Sequence, residues 1–297
     1  MNQLTSSQRV RVISALLEGN SIASTCRMTG VAKRTVLRLL AEMGVLCADH
    51  HHQTVRGLRP QRVQCDEIWS FCYARDKNVP SHLRDQPGIG SVWTWVGMDA
   101  DTKLCIGWLI GDRDAECARE FMLDLASRIV SRVQLTTDGH QPYLQAVDDA
   151  FGKEVDYAML VKIYGKPRAR DGRPRSHDFV GAKRQHVTGF PNGEFVSTSF
   201  IERQNLTMRM SMRRFTRRTN AFSKKLANLR HSVALHYANY NFCRIHQSLR
   251  VTPAMAAGLS DHVWSLDELV GLLVADEQKA IANGALKRGA YRPRISK

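Results

Sequence analysis

Three short apolar segments, 63–71 (VQCDEIWSF), 92–98 (VWTWVGM) and 104–110 (LCIGWLI), follow one another in this chain. They narrow the fold more than any other feature. Each is rich in β-branched and aromatic residues, and turn-forming residues separate them, Gln86-Pro87-Gly88 before the second and Asp99-Ala100-Asp101 before the third. Such segments read as strands, and connections this short favour antiparallel neighbours. A helix is expected next over 114–132, with Ala118, Phe121, Met122, Leu125 and Ile129 on one stripe, then a strand at 133–137, a helix at 142–151 and a strand at 157–164. Three strands followed by helix, strand, helix and strand describe an α/β layer fold with a mixed sheet and flanking helices.

At 297 residues the chain exceeds one typical domain. Residues 6–17, 21–28 and 32–43 read as three short helices with Gly30 in the second turn, the pattern of a helix-turn-helix whose last helix enters a DNA groove. That helix would point Lys33, Arg34, Thr35 and Arg38 outward. The expected organisation is a DNA-binding domain over 1–46, a linker over 47–61, a catalytic domain over 62–258 and a helical extension with a basic tail over 259–297. Within the catalytic region, 165–181 reads as a loose cationic loop, 186–188 and 194–197 as a short hairpin, and 223–241 as a helix. Ser265 with Glu268 supplies a capping box for a helix from 265 to 284.

The seven cysteines are odd in number and scattered, with no CxxC pair, which fits a reduced compartment. Cys47 with His50, His51 and His52 offers zinc-binding side chains, but no second segment supplies the matching pair that structural zinc sites use. No apolar run reaches membrane-spanning length and the N-terminus lacks a signal-peptide core, so a cytoplasmic protein is expected.

Net charge is +15, and it is concentrated. Residues 166–225 carry fifteen Lys and Arg against four acids, the footprint of a nucleic-acid-binding surface. Within it, the segment 198–225 carries one acid, Glu202, followed by Arg203, Arg209, Arg213, Arg214, Arg217, Arg218, Lys224 and Lys225. On a helix, Glu202, Asn205, Arg209 and Arg213 share one face, placing a carboxylate at the head of a cationic rod. An isolated glutamate in such a setting is ordinarily a surface ion pair. Asp66, inside the first strand, and Asp138, ending the fourth, change that reading, because phosphoryl transfer with two metal ions needs carboxylates converging from separate elements. Glu67, next to Asp66, is expected on the opposite face of its strand.

The segments Gln64-Cys65-Asp66-Glu67-Ile68-Trp69-Ser70-Phe71, Thr137-Asp138-Gly139 with Tyr143, and Ser199-Phe200-Ile201-Glu202-Arg203-Gln204-Asn205 resemble, in that order, the three catalytic boxes of bacterial insertion-sequence transposases of the DDE class, closest to the family named for insertion sequence one. The segment Tyr240-Asn241-Phe242-Cys243-Arg244-Ile245-His246, with Thr252-Pro253-Ala254, resembles the region after the core in integrase-like relatives. The resemblance implies a ribonuclease-H-like sheet, Asp66, Asp138 and Glu202 as the metal-binding catalytic triad, and two Mg²⁺ ions for which Mn²⁺ can substitute. It further implies double-stranded DNA as partner, both element ends and target, a homodimer or larger oligomer, and a nucleoid-associated bacterial location. A structure-selective nuclease on the same fold and an inactive, DNA-binding regulator are the alternatives.

Overall fold

The computed structural model describes residues 4–84, 86–165 and 179–283. The chain divides into two compact units, one formed by 1–55, 69–92 and 206–297 and the other by 56–68 and 93–205.

The second unit holds most of a six-stranded mixed sheet. Its strands are β1 (Arg62–Cys72), β2 (Gly90–Asp99), β3 (Cys105–Gly111), β4 (Val133–Asp138), β5 (Val155–Tyr164) and β6 (Phe179–Thr188). They are ordered β3-β2-β1-β4-β5-β6. β1 and β2 run antiparallel: Ala100 N–H donates to Arg62 O at one end, and the Ser70 hydroxyl to Val92 O at the other. β2 and β3 are antiparallel, β4 is parallel to both β1 and β5, and β6 returns antiparallel to β5. The expected α/β class with a mixed sheet is therefore what forms.

Two helices, α4 (Ala115–Arg128) and α5 (Pro142–Phe151), cover one face. Asp114 caps α4 by accepting from Cys117 N–H, and Pro142 opens α5 where its missing N–H costs nothing. Beneath them the fully buried Trp95 meets Phe121 at 6.1 Å and Tyr143 edge-on at 5.4 Å between ring centroids. Side chains alternate across a strand. Along β1 this sends Cys65 and Glu67 toward α4 and α5, and Gln64 and Asp66 to the other face. There α6 (Ser199–Ser211) begins, its first two turns belonging to this unit.

Two expectations in this unit are corrected. The helix after β3 stops at Arg128 rather than 132: Ile129 is extended and bridges in parallel to Leu58, so it leaves the apolar stripe. The hairpin expected at 186–188 and 194–197 is instead the far end of β6, paired with β5, followed by a single 3-10 turn at Gly193–Phe195. Of the expected cationic loop, 166–178 lies outside the described residues and 179–181 belongs to β6.

The first unit is helical. It comprises α1 (Ser6–Leu17), α2 (Ile22–Thr29), α3 (Lys33–Thr54), α7 (Leu226–Ala238), α8 (Pro253–Ala256) and α9 (Leu266–Ala282), with the C-terminal part of α6. Ser21 caps α2 and Gly30 closes it in the left-handed conformation. Ser265 and Glu268 form the reciprocal capping box anticipated for α9. Arg9 of α1 donates twice to the Glu277 carboxylate of α9, at 3.0 and 2.9 Å.

Helix α3 runs to Thr54, through the first half of the stretch expected to be a linker. Its apolar stripe of Val36, Leu39, Leu40 and Met43 continues through Gly44, Cys47 and His51, all buried. His50 packs its ring against Phe242 and Trp264 at 5.1 and 4.9 Å. Of the zinc-binding side chains in this stretch, Cys47, His50 and His51 are thus packing groups and His52 is exposed; burial pushes the Cys47 thiol up. Nor is the basic segment one rod. α6 ends at Ser211, Met212 is extended, and a 3-10 turn at Arg213–Phe215 buries Phe215, so Arg213 cannot share a helical face with Glu202.

Where α3 meets α7, the added Cβ of an alanine at 44 would lie 2.4 Å from His231 Cβ and 2.5 Å from its Cα. Gly→Ala inside a helix ordinarily stabilises by about 0.5–1 kcal/mol. Here Gly44→Ala is expected to destabilise by about 1–3 kcal/mol through overpacking, read from the denaturant midpoint.

Candidate metal centre

Asp66, Glu67 and Asp138 converge: each offers a carboxylate oxygen, and these oxygens all lie within 4.8 Å of one another. Among the described residues this is the one group of His, Cys, Asp and Glu so disposed. The arrangement follows from the sheet. β1 and β4 pair in parallel from Arg62–Gln134 to Gln64–Thr136, so Asp66 and Asp138 stand at equivalent heights on adjacent central strands. Beyond Gln64 the two strands no longer pair. The Glu67 carboxylate, leaving β1 on the opposite side, therefore still reaches the gap between them. Its recruitment was not anticipated, since strand alternation alone sends it away from Asp66.

Glu67 is the most enclosed of the three, its side chain 1% exposed. Its Oε2 accepts from Arg113 Nε at 3.0 Å, while its Oε1 is buried and has no hydrogen-bond partner. The Tyr143 hydroxyl, also buried, lies close enough to favour the ionised form, yet falls short of a full hydrogen bond. Arg113 also reaches Asp138 Oδ2 with Nη2 at 3.4 Å, and its guanidinium stacks over Trp93 at 4.9 Å. Asp138 Oδ1 accepts from His140 N–H at 2.9 Å. Asp66 Oδ2 accepts from the Asn205 side-chain amide at 2.8 Å.

Electrostatically, the cluster lacks positive charge. Burial, and then the charge of Asp138, raise the Asp66 carboxyl to about 6, and the same two causes raise Glu67 to about 7. Burial, then Arg113, lower the His140 imidazole, keeping a second cation out. Of the three acids, Glu67, with an orphaned oxygen, and Asp138 share a single arginine, and Asp66 is met by the Asn205 amide. A hard divalent cation with oxygen ligands fits this donor set, and the acidic cluster is compatible with such an ion.

Glu202 stands apart from this group. It sits in the first turn of α6, where Gln64 Oε1 accepts from the N–H groups of Phe200 and Ile201 at 3.0 and 3.1 Å. Its carboxylate is 2.7 Å from Lys162 Nζ on β5 and accepts from the Thr198 hydroxyl; it is 41% exposed. Burial opposes the charge on Lys162, but the hydrogen bond and charge of Glu202 leave its ammonium raised overall. The structure therefore brings Asp66 and Asp138 together with Glu67, and leaves Glu202 paired with Lys162.

The residues expected to grip DNA are dispersed. Asn205 is buried and committed to Asp66. Arg209 donates to Phe215 O at 3.2 Å and Arg214 to the Ser223 hydroxyl at 2.7 Å; burial lowers the Arg214 guanidinium to about 10. Both act as internal braces. Arg203, Arg213, Arg217 and Arg218 are exposed. In α3, Lys33 and Arg34 are exposed, while Thr35 and Arg38 are half-buried, with Arg38 3.9 Å from Glu42.

No family model matches the chain, and no curated protein matches it. Among solved structures it is similar to a piggyBac transposase in a synaptic complex with hairpin DNA, with a TM-score of 0.39 and 12% identity over 96% of this chain and 73% of that one. At that score and identity the similarity carries no assignment, and the resemblance to the insertion-sequence-one family gains no support from it. No helix among the described residues is long and apolar enough to cross a membrane.

Raised carboxyls favour the folded state only while protonated. Their contribution is full below the ordinary carboxyl range, near 4.5 for glutamate, and is lost as pH rises through about 6 and 7. In chelator, Glu67→Gln should accordingly gain thermal stability relative to the parent chain between pH 5 and pH 8. Added Mn²⁺ should raise the parent melting temperature at pH 8 more than at pH 5.5, and Glu67→Gln should lose most of that rise. Equal rises in the variant and the parent would remove Glu67 from the ligand set.

Proposed function

We propose that this chain is a divalent-metal-dependent DNA strand-transfer enzyme, a transposase of the DDE type on a ribonuclease-H-like sheet. One observation carries the reading: three clustered carboxylates, one buried with an unpartnered oxygen and two half-buried, lie at the centre of a mixed sheet, in a chain of net charge +15. Asp66, Asp138 and Glu67 would hold one ion, and Asp66 with Glu202 a second, Mg²⁺ in both positions with Mn²⁺ as substitute. When bound, the ions supply a nucleophile at neutral pH and neutralise charge on the scissile phosphate.

The protein groups divide the remaining work. Arg113 balances Glu67 and Asp138, Asn205 holds the Asp66 carboxylate in place, and Gln64 aims the head of α6. The exposed first turn of α3, with Lys33 and Arg34 outermost, would contact element ends, and Arg203, Arg213, Arg217 and Arg218 would contact DNA backbone. Action on two ends at once calls for a homodimer.

The Glu202–Lys162 pair favours a second reading, a nuclease that works with Asp66, Glu67 and Asp138 and does not join strands. Oligonucleotides carrying candidate inverted repeats, incubated with Mg²⁺ or Mn²⁺, distinguish the two: joined products are expected of a transposase, nicks alone of a nuclease. Asp66→Asn should lower cutting by about 10²-fold or more, as the loss of one preorganised charged group does, with DNA binding retained. Undiminished cutting by Asp66→Asn would overturn the assignment.

A further inference from the structure

The β5–β6 ribbon carries a cationic row that is continuous with the acidic cluster across one face of the sheet. In register, Asp138 on β4 lies beside Leu160 on β5, and Leu160 beside Arg184 on β6. Side chains directly paired across a sheet share a face, so Asp138 and Arg184 project to the same side, two strand spacings or about 10 Å apart. Lys162 comes next on that side, paired with Ala182. The neighbouring Lys183 is paired with Val161 and belongs to the opposite face.

From Tyr157 to Tyr164 and from Phe179 to Thr188 the ribbon contains three lysine or arginine residues and no acid, and Asp156, near the start of β5, is neutralised by Arg132. β6 is the outermost strand and is exposed along nearly its whole length. Arg184 is exposed and makes no ion pair among the described residues, whereas Lys162 is already paired with Glu202. An exposed edge of single sign beside an acidic centre is complementary to a polyanion.

We infer that this face of the β5–β6 ribbon is a DNA-backbone track, with Arg184 holding a phosphate of the duplex beside the one at the acidic cluster and Lys162 one step further along the same face. The inference rests on the DNA-processing reading above and adds to it a surface on the edge of the sheet, outside the α3 and α6 regions. Because Arg184 and Lys183 are consecutive, equally charged and both exposed, yet face opposite ways, the geometry makes a claim that net charge alone does not.

The test is duplex DNA binding by the full chain, followed by fluorescence anisotropy across a salt series, for the parent, Arg184→Ala and Lys183→Ala. Each phosphate contact contributes about 0.9 to the slope of log affinity against log salt. Arg184→Ala should lower that slope by about one contact and Lys183→Ala by less than half as much, with melting temperatures unchanged. An unchanged slope in Arg184→Ala, or equal losses in both variants, would overturn the track. Mn²⁺-dependent nicking by the parent, measured alongside, bears on the enzyme reading independently: a parent that nicks while Arg184→Ala keeps its full slope loses the track and keeps the enzyme. A parent that binds DNA through Arg184 without nicking loses the enzyme and keeps the track.

Discussion

The candidate site depends on one buried side chain, Gln64. Its amide oxygen accepts from two backbone N–H groups at the head of α6, 136 and 137 residues away in sequence. A helix start leaves four such donors unsatisfied, and here a neighbouring strand supplies the acceptor that a local cap ordinarily provides. The same strand then presents Asp66 two residues later, on the same face, where Asn205 one turn along α6 meets it. Helix and strand are fixed to each other at two points, and the first turn with Glu202 lies between them. Because the acceptor is buried, losing it would leave two donors without partners at about 1–3 kcal/mol each.

Charge is balanced in the cluster by sharing. Arg113 contacts Glu67 and Asp138 at once and rests on Trp93, so its position is held by packing as well as by the acids. Lys162 does the corresponding work for Glu202. Neither cation reaches the unpartnered oxygen of Glu67. The raised Asp66 and Glu67 carboxyls are the electrostatic record of that shortfall, with burial the larger cause in both. A site of this kind costs folding stability unless something cationic joins it, and that is the usual condition of a functional cluster rather than a structural one.

How much of this was legible in the sequence depended on periodicity and local chemistry. α5 and the Ser265–Glu268 cap formed where the residues placed them, because a proline start and a capping box are local signals. β1 to β5 appeared within a residue or two for the same reason, being apolar runs between turns. β6 was misread because a strand exposed on both faces has no apolar alternation to detect. The extension of α3 was hidden by Cys47 and His51, which continue the buried stripe in letters that suggested metal binding. The early end of α6 has no glycine or proline to announce it; burial of Phe215 decides it. Glu67 does leave β1 on the opposite face from Asp66, as alternation dictates, and its carboxylate still meets Asp66 and Asp138 because β1 and β4 part beyond Gln64, a property of the sheet rather than of the strand.

The uninterrupted 22 residues of α3 have a mechanical consequence. At 1.5 Å per residue the helix is a rod about 33 Å long. Its basic first turn is exposed, and its middle is held against α7 at Gly44, where His231 leaves no slack. A load applied at Lys33 is therefore not absorbed by a pliable joint at 47–54. It is delivered to the α3–α7 crossing, which acts as the fulcrum of a lever whose far arm carries His50 and the rings packed around it.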